Sequence, residues 1–127
     1  MKRSGIVVAD GMRFFRQWLR GVLRERGWRV VGETSDGGEV LRLVRQLEPF
    51  AVILDLHLPG QDGFAVLQEL GREAPGVPVI VCSAAGRPDD VLRARRLGAA
   101  DFLVKPVQEE RLWLALERLA EGDALDG

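Results

Sequence analysis

Apolar residues fall along this chain in two alternating rhythms, short unbroken runs and longer stretches with helical spacing. Ile6-Val7-Val8-Ala9 is an unbroken run, and after it Met12, Phe15, Leu19, Val22 and Leu23 recur at helical intervals until Gly27. That pattern predicts a buried strand followed by an amphipathic helix. The alternation then predicts a strand over 28–33, a helix capped by Asp36 and running to 47, a strand over 50–55, and a helix capped by Asp62 and running to 73. A fourth strand over 78–82, a short helix over 88–97 ended by Gly98, a fifth strand over 100–104 and a last helix over 107–120 complete the series. Five strands alternating with five helices through short loops imply an α/β fold. Its core is a single five-stranded parallel sheet with right-handed crossovers and helices on both faces. One domain is expected over 1–121, followed by a polar C-terminal tail over 122–127 that frays.

Composition narrows the function. The length of 127 residues suits one domain with a real core. A formal net charge of -1 supplies none of the attraction that dominates nucleic-acid affinity, so direct nucleic-acid binding is not expected. Cys82 is the only cysteine and has no internal disulfide partner. The N-terminus has no signal-type segment and no apolar run approaches the ~18 residues of a membrane span, which makes a cytoplasmic protein without membrane contact the expectation. The basic residues are nearly all arginine, with lysine only at Lys2 and Lys105.

Ligands of open α/β sheets bind in the crevice outside the carboxyl ends of the strands. On this order of elements the first, third, fourth and fifth strands present Asp10, Asp55, Ser83 and Lys105 there. Asp55 closes the apolar run Ala51-Val52-Ile53-Leu54 and opens the turn Leu56-His57-Leu58-Pro59-Gly60. Two acids, a hydroxyl and an ammonium suit the handling of a phosphoryl group. They provide a carboxylate nucleophile, hard oxygens for a divalent ion, and cationic and hydroxyl groups for the phosphoryl oxygens.

Four segments taken in order, IVVAD at 6–10, VILDLHLPGQDGF at 52–64, PVIVCSA at 78–84 and GAADFLVKP at 98–106, carry a family resemblance. Over residues 4–120 the chain resembles the response regulator receiver domain, or CheY-like domain. The resemblance implies the flavodoxin-like strand order 2-1-3-4-5. It implies Asp55 as acceptor of a phosphoryl group from a histidine kinase or phosphotransfer protein. Ser83 is then the switch hydroxyl on the phosphoryl oxygens, with the small Ala84 beside it leaving access. Lys105 pairs with Asp55 or its phosphate, the Lys105–Pro106 peptide is cis, and Phe102 is the aromatic that turns inward when the hydroxyl moves. Mg²⁺ is the implied cofactor, held by Asp10, Asp55 and the backbone carbonyl of His57. On the residues alone, a turn-capping acid, a strand-end serine, a solvated lysine and a packed strand aromatic remain open.

The chain departs from the family at one point. Receivers carry two adjacent acids after the first strand, and here the sequence is Ala9-Asp10-Gly11. With Asp10 as the first acid, Gly11 stands where the second would ligate the metal; shifted by one, Ala9 takes the first slot. In either register a carboxylate is lost, so weakened Mg²⁺ binding is expected. Fewer negative charges also repel an incoming phosphoryl group less. Nothing in the sequence recruits Glu33 or Asp36 as a replacement. Two functions stay side by side: a two-component receiver that switches a protein-interaction surface on phosphorylation, and a degenerate receiver that binds partners without phosphoryl chemistry. In neither is the chain an enzyme beyond self-catalysed transfer at Asp55. A phosphohydrolase is disfavoured, because the chain is too short for a cap domain and lacks a second catalytic acid.

Exposed apolar residues are candidates for partner surfaces. On the first helix Phe14 lies away from the core stripe and Trp18 at its edge, on the helix where a kinase or phosphotransfer partner docks in receivers. On the last helix Trp113 is expected to point sideways out of the Leu112-Leu116-Leu119 face, flanked by Leu114, as part of an interface. The family resemblance adds a downstream output protein or domain, and a homodimer through the fourth helix, fifth strand and fifth helix.

Overall fold

The computed structural model describes residues 5–84 and 86–126, with the backbone alone at 123–126. In chain order the elements are β1 (Gly5–Ala9), α1 (Arg13–Glu25), β2 (Arg29–Thr34), a 3-10 turn (Gly37–Glu39) continuing into α2 (Val40–Leu47), and β3 (Ala51–Leu54). They continue with α3 (Gly63–Glu73), β4 (Val79–Ser83), α4 (Pro88–Arg96), β5 (Asp101–Val104) and α5 (Glu109–Asp126). All strand pairs are parallel, in the order β2-β1-β3-β4-β5.

The unbroken apolar runs are buried on both sides because successive residues point to opposite faces of the sheet. Ile6, Val8, Ala51, Ile53, Ile80, Cys82 and Leu103 pack with α1 and α5. Their alternates Val7, Ala9, Val52, Leu54, Val79, Val81 and Phe102 pack with α2, α3 and α4. Each fully buried leucine among them, such as Leu19 or Leu116, contributes roughly 2 kcal/mol of burial. Burial pushes the Cys82 thiol up, which leaves it an inert core side chain.

Several local details depart from the sequence pattern. Asp36 does not open an α-helix directly: its carboxylate accepts the Gly38 amide at 2.8 Å and starts a 3-10 turn. Met12 is 56% exposed and sits at the N-cap of α1, outside the core stripe. The last helix starts later and runs further than expected. The segment from 122, read as a frayed polar tail, is helical as far as Asp126, since no proline or positive-φ glycine interrupts it. Gly127 lies outside the described residues.

Trp113 is corrected from an outward residue to a core one. It is 8% exposed, packs with Trp28, Leu112 and Leu116, and carries the Arg26 guanidinium 4.9 Å above its ring. Measured from Leu112 alone, Trp113 lies ~100° round the helix. The buried stripe of α5 is centred nearer Leu116, about 60° from Trp113 at ~100° per residue, and an indole spans that arc easily. Leu114 is on the opposite side, 47% exposed. Among the described residues no helix is long and apolar enough to cross a membrane.

Candidate functional site

The carboxyl ends of β1, β3, β4 and β5 meet at one edge of the sheet. Asp10 follows β1, with its amide donating to Thr34 O at 3.0 Å. Its Oδ1 accepts the Met12 amide at 2.8 Å, an Asx-type turn that takes the chain straight into α1. Arg16, one turn into that helix, donates to the Asp10 carbonyl at 2.6 Å and to Glu33 at 3.2 Å. Glu33 is also paired with Arg20. Its carboxylate is thus committed to two arginines, and that of Asp36 to a turn, so neither joins the acid site.

Asp55 follows β3 with the same device. Its amide donates to Ala9 O at 2.9 Å, and its Oδ1 accepts the His57 amide at 3.1 Å. The imidazole-bearing residue is exposed, while Asp55 is 6% exposed. The loop is held from behind by Gly63, whose amide donates to Leu56 O at 2.9 Å. A Cβ there would lie 2.5 Å from the Asp55 carbonyl, so only glycine permits this approach.

Lys105 follows β5, tied to β4 by its amide donating to Ser83 O at 2.9 Å, and the Lys105–Pro106 peptide is cis. Its side chain, 10% exposed, reaches back across the edge. Nζ stands 2.8 Å from Asp10 Oδ2 and 3.4 Å from Asp55 Oδ2. One ammonium thus bridges two buried carboxylates, whose charges would otherwise repel. It is more tightly bound to Asp10, since 3.4 Å is near the limit of a hydrogen bond. Burial raises the Asp10 pKa above the ordinary 3.8, against the opposing hydrogen bonds from Lys105 and the Met12 amide and the Lys105 charge; the Asp55 charge adds to the rise.

Ser83 closes β4 fully buried, and Ala84 beside it is exposed. Phe102 is 6% exposed within the core cluster under α4. Phe14 is 82% exposed, whereas Trp18 is half-buried, packs on the core and stacks on Phe15 at 5.8 Å. Sequence reasoning missed two neighbours of Lys105: the Phe15 ring, 4.4 Å from Nζ, and Met12 Sδ, 3.6 Å away. Both read as stripe residues of a helix, and only the fold brings a lysine 90 positions later against them.

The donor set fits a magnesium-like cation with a deficit. Two carboxylates, each with an oxygen lone pair to spare, and the carbonyl of His57 in the turn that Asp55 caps suit a hard ion that keeps several waters. Among the described residues no three acids, histidines or cysteines cluster for a metal. Gly11 is exposed, with nothing within 4 Å of where a Cβ would stand.

Comparison with known proteins agrees with this architecture. The family model of the response regulator receiver domain matches residues 6–117. The chain is 32% identical over 116 residues to the chemotaxis protein CheY of Thermotoga maritima, covering 91% of this chain and 97% of that one. The signal receiver domain of the response regulator NarL from Mycobacterium tuberculosis superposes with a TM-score of 0.88 at 31% identity, over 96% of this chain and 99% of that one. CheY of Borrelia burgdorferi, solved as a complex with CheX, BeF3 and Mg²⁺, shares the fold with a TM-score of 0.85 at 23% identity, over 91% of this chain and 87% of that one.

Proposed function

This chain belongs to the response regulator receiver domain family, a signalling domain of two-component systems and not an enzyme of the ordinary kind, and on that premise we propose that Asp55 accepts a phosphoryl group from a histidine kinase or phosphotransfer protein. The observation that carries the proposal is the convergence of Asp10, Asp55 and Lys105 on one buried point. An Asp55 oxygen attacks phosphorus, a new O–P bond forms, and the bond to the donor's imidazole nitrogen breaks with its electron pair leaving on that nitrogen. The product carries roughly -1.5 to -2 charges. Lys105, already within reach of both acids, moves its hydrogen bonds toward the phosphoryl oxygens, and the buried Ser83 hydroxyl is placed on the same strand edge to join it. Mg²⁺, held by Asp10, Asp55 and the His57 carbonyl, would neutralise phosphoryl oxygens during transfer.

Gly11 is read as standing where the family has a second acid, which weakens that metal site without closing it. Phe102 and Ala84 next to Ser83 provide the packing that responds when the hydroxyl moves. The responding surface is read from exposed apolar residues: Leu92 on α4, Val104 on β5 and Leu114 on α5 for an output partner or a second copy, and Phe14 with Trp18 on α1 for the phosphoryl donor. The buried Trp113 is not part of it.

A phosphorylation-independent interaction module is the second reading, favoured by one observation: Lys105 Nζ is nearer Asp10 than Asp55, at 2.8 Å against 3.4 Å. Incubation with a small acyl phosphate and Mg²⁺, followed by intact mass measurement, separates the two. The receiver reading requires one phosphoryl adduct on the wild type and none on Asp55→Asn. No adduct on either, with equal partner binding, selects the module.

A further inference from the structure

The geometry points to Phe15 as a positioning residue that holds the Lys105 ammonium through a cation–π contact; its functional consequence rests on the phosphoryl-acceptor reading of Asp55. Among the described residues, Nζ contacts two pairs of groups. Two are charged, Asp10 at 2.8 Å and Asp55 at 3.4 Å. Two are soft, Met12 Sδ at 3.6 Å and the Phe15 ring with its centroid at 4.4 Å. Because the lysine side chain is only 10% exposed, the ring contact is largely desolvated, the condition under which it is strongest.

The two kinds of neighbour do different things. A carboxylate binds the ammonium through particular N–H groups, and the closer acid, Asp10, holds it on the β1 side. A ring face attracts the charge as a whole without claiming an N–H, so it keeps Nζ in place while its hydrogen bonds transfer from Asp10 to a phosphoryl group on Asp55. Phe15 is itself fixed: it stacks on Trp18 at 5.8 Å with 28° between planes and packs on the core. Trp18, Phe15 and Lys105 thus form a continuous path from the half-exposed side of α1 to the acceptor.

The test exploits the lysine content of the chain, because Lys2 and Lys105 are the only two and each is read separately by peptide mass mapping. Phe15 is replaced by its mono-, di- and trifluorinated analogues, which keep the shape of the ring and drain its negative face, and by Phe15→Leu. Acylation of Lys105 by an activated ester is expected to rise stepwise with fluorination, by about threefold or more at the end of the series, while Lys2 stays constant. Phosphoryl uptake from an acyl phosphate should slow in the same order with an unchanged Mg²⁺ half-saturation. Flat Lys105 reactivity across the fluorinated series overturns the proposal, even if Phe15→Leu perturbs it, since that outcome leaves packing alone. If wild-type Asp55 takes no phosphoryl group, the acceptor reading fails, and the Lys105 series still decides the role of Phe15.

Discussion

At the end of β1, Asp10 accepts the amide two residues on at 2.8 Å; at the end of β3, Asp55 accepts the corresponding amide at 3.1 Å, and the second oxygen of each faces Lys105. The two ends then diverge. β1 turns directly into α1, and the glycine after its acid has open space around it. β3 leads into a longer loop that is packed from behind, with Gly63 against Asp55 and Leu56, and Gly37 against the Gln61 carbonyl. The Asp55 side is fixed by contacts that leave no room for a methyl group. The β1 side is slack at Gly11, the position proposed above for a second acid. Geometry is therefore invested in where Asp55 presents its oxygens, and the end at Gly11 is open to change.

The comparison can be broken in four ways, in falling order of effect. Asp55→Asn should abolish the phosphoryl adduct seen by intact mass, while Asp10→Asn should only slow its formation; equal loss in both would make the two acids equivalent. In urea denaturation Gly63→Ala should lose roughly 3 kcal/mol, because a Cβ 2.3 Å from Leu56 Cα forces the backbone apart. Gly11→Ala should stay within about 0.5 kcal/mol, and comparable losses would refute the contrast between packed and slack ends. Gly11→Asp should tighten Mg²⁺ binding about tenfold, ~1.4 kcal/mol by calorimetric titration. No gain would show that this position does not reach the metal.

The smallest effect is a pH slope. The folded pKa of Asp10 is raised by burial, so the unfolded chain releases this proton first as pH climbs above 3.8. The contribution of the protonated acid to stability is full below that value and is lost as pH rises through the folded pKa. Thermal melts of the wild type should therefore decline over that window relative to Asp10→Asn, which has no such proton. The opposite slope would mean that the Lys105 pairing outweighs burial.

Much of this contrast was legible beforehand. The unbroken runs identified β1, β3 and β4, because burial on both faces removes polar residues from them, while the edge strands β2 and β5 carry polar residues and followed from the alternation of elements; the strand-end rule placed Asp10, Asp55, Ser83 and Lys105 on one edge. The failures share a cause. The angle between Trp113 and Leu112 on the helix points Trp113 outward, whereas its burial depends on where Trp28 and Arg26 lie in space. Phe15 and Met12 read as helix stripe residues, and their contact with Lys105 joins the first helix to the end of the fifth strand.

Sequence by itself determined the alternation of elements, the parallel sheet, and the acids and lysine at its edge, since periodicity and strand-end chemistry are local properties. Only the tertiary structure decided which groups share the ammonium of Lys105, which tryptophan is buried, and which glycine has room beside it. Those are set by distances between segments far apart along the chain, and close packing fixes such distances only once every element is in place.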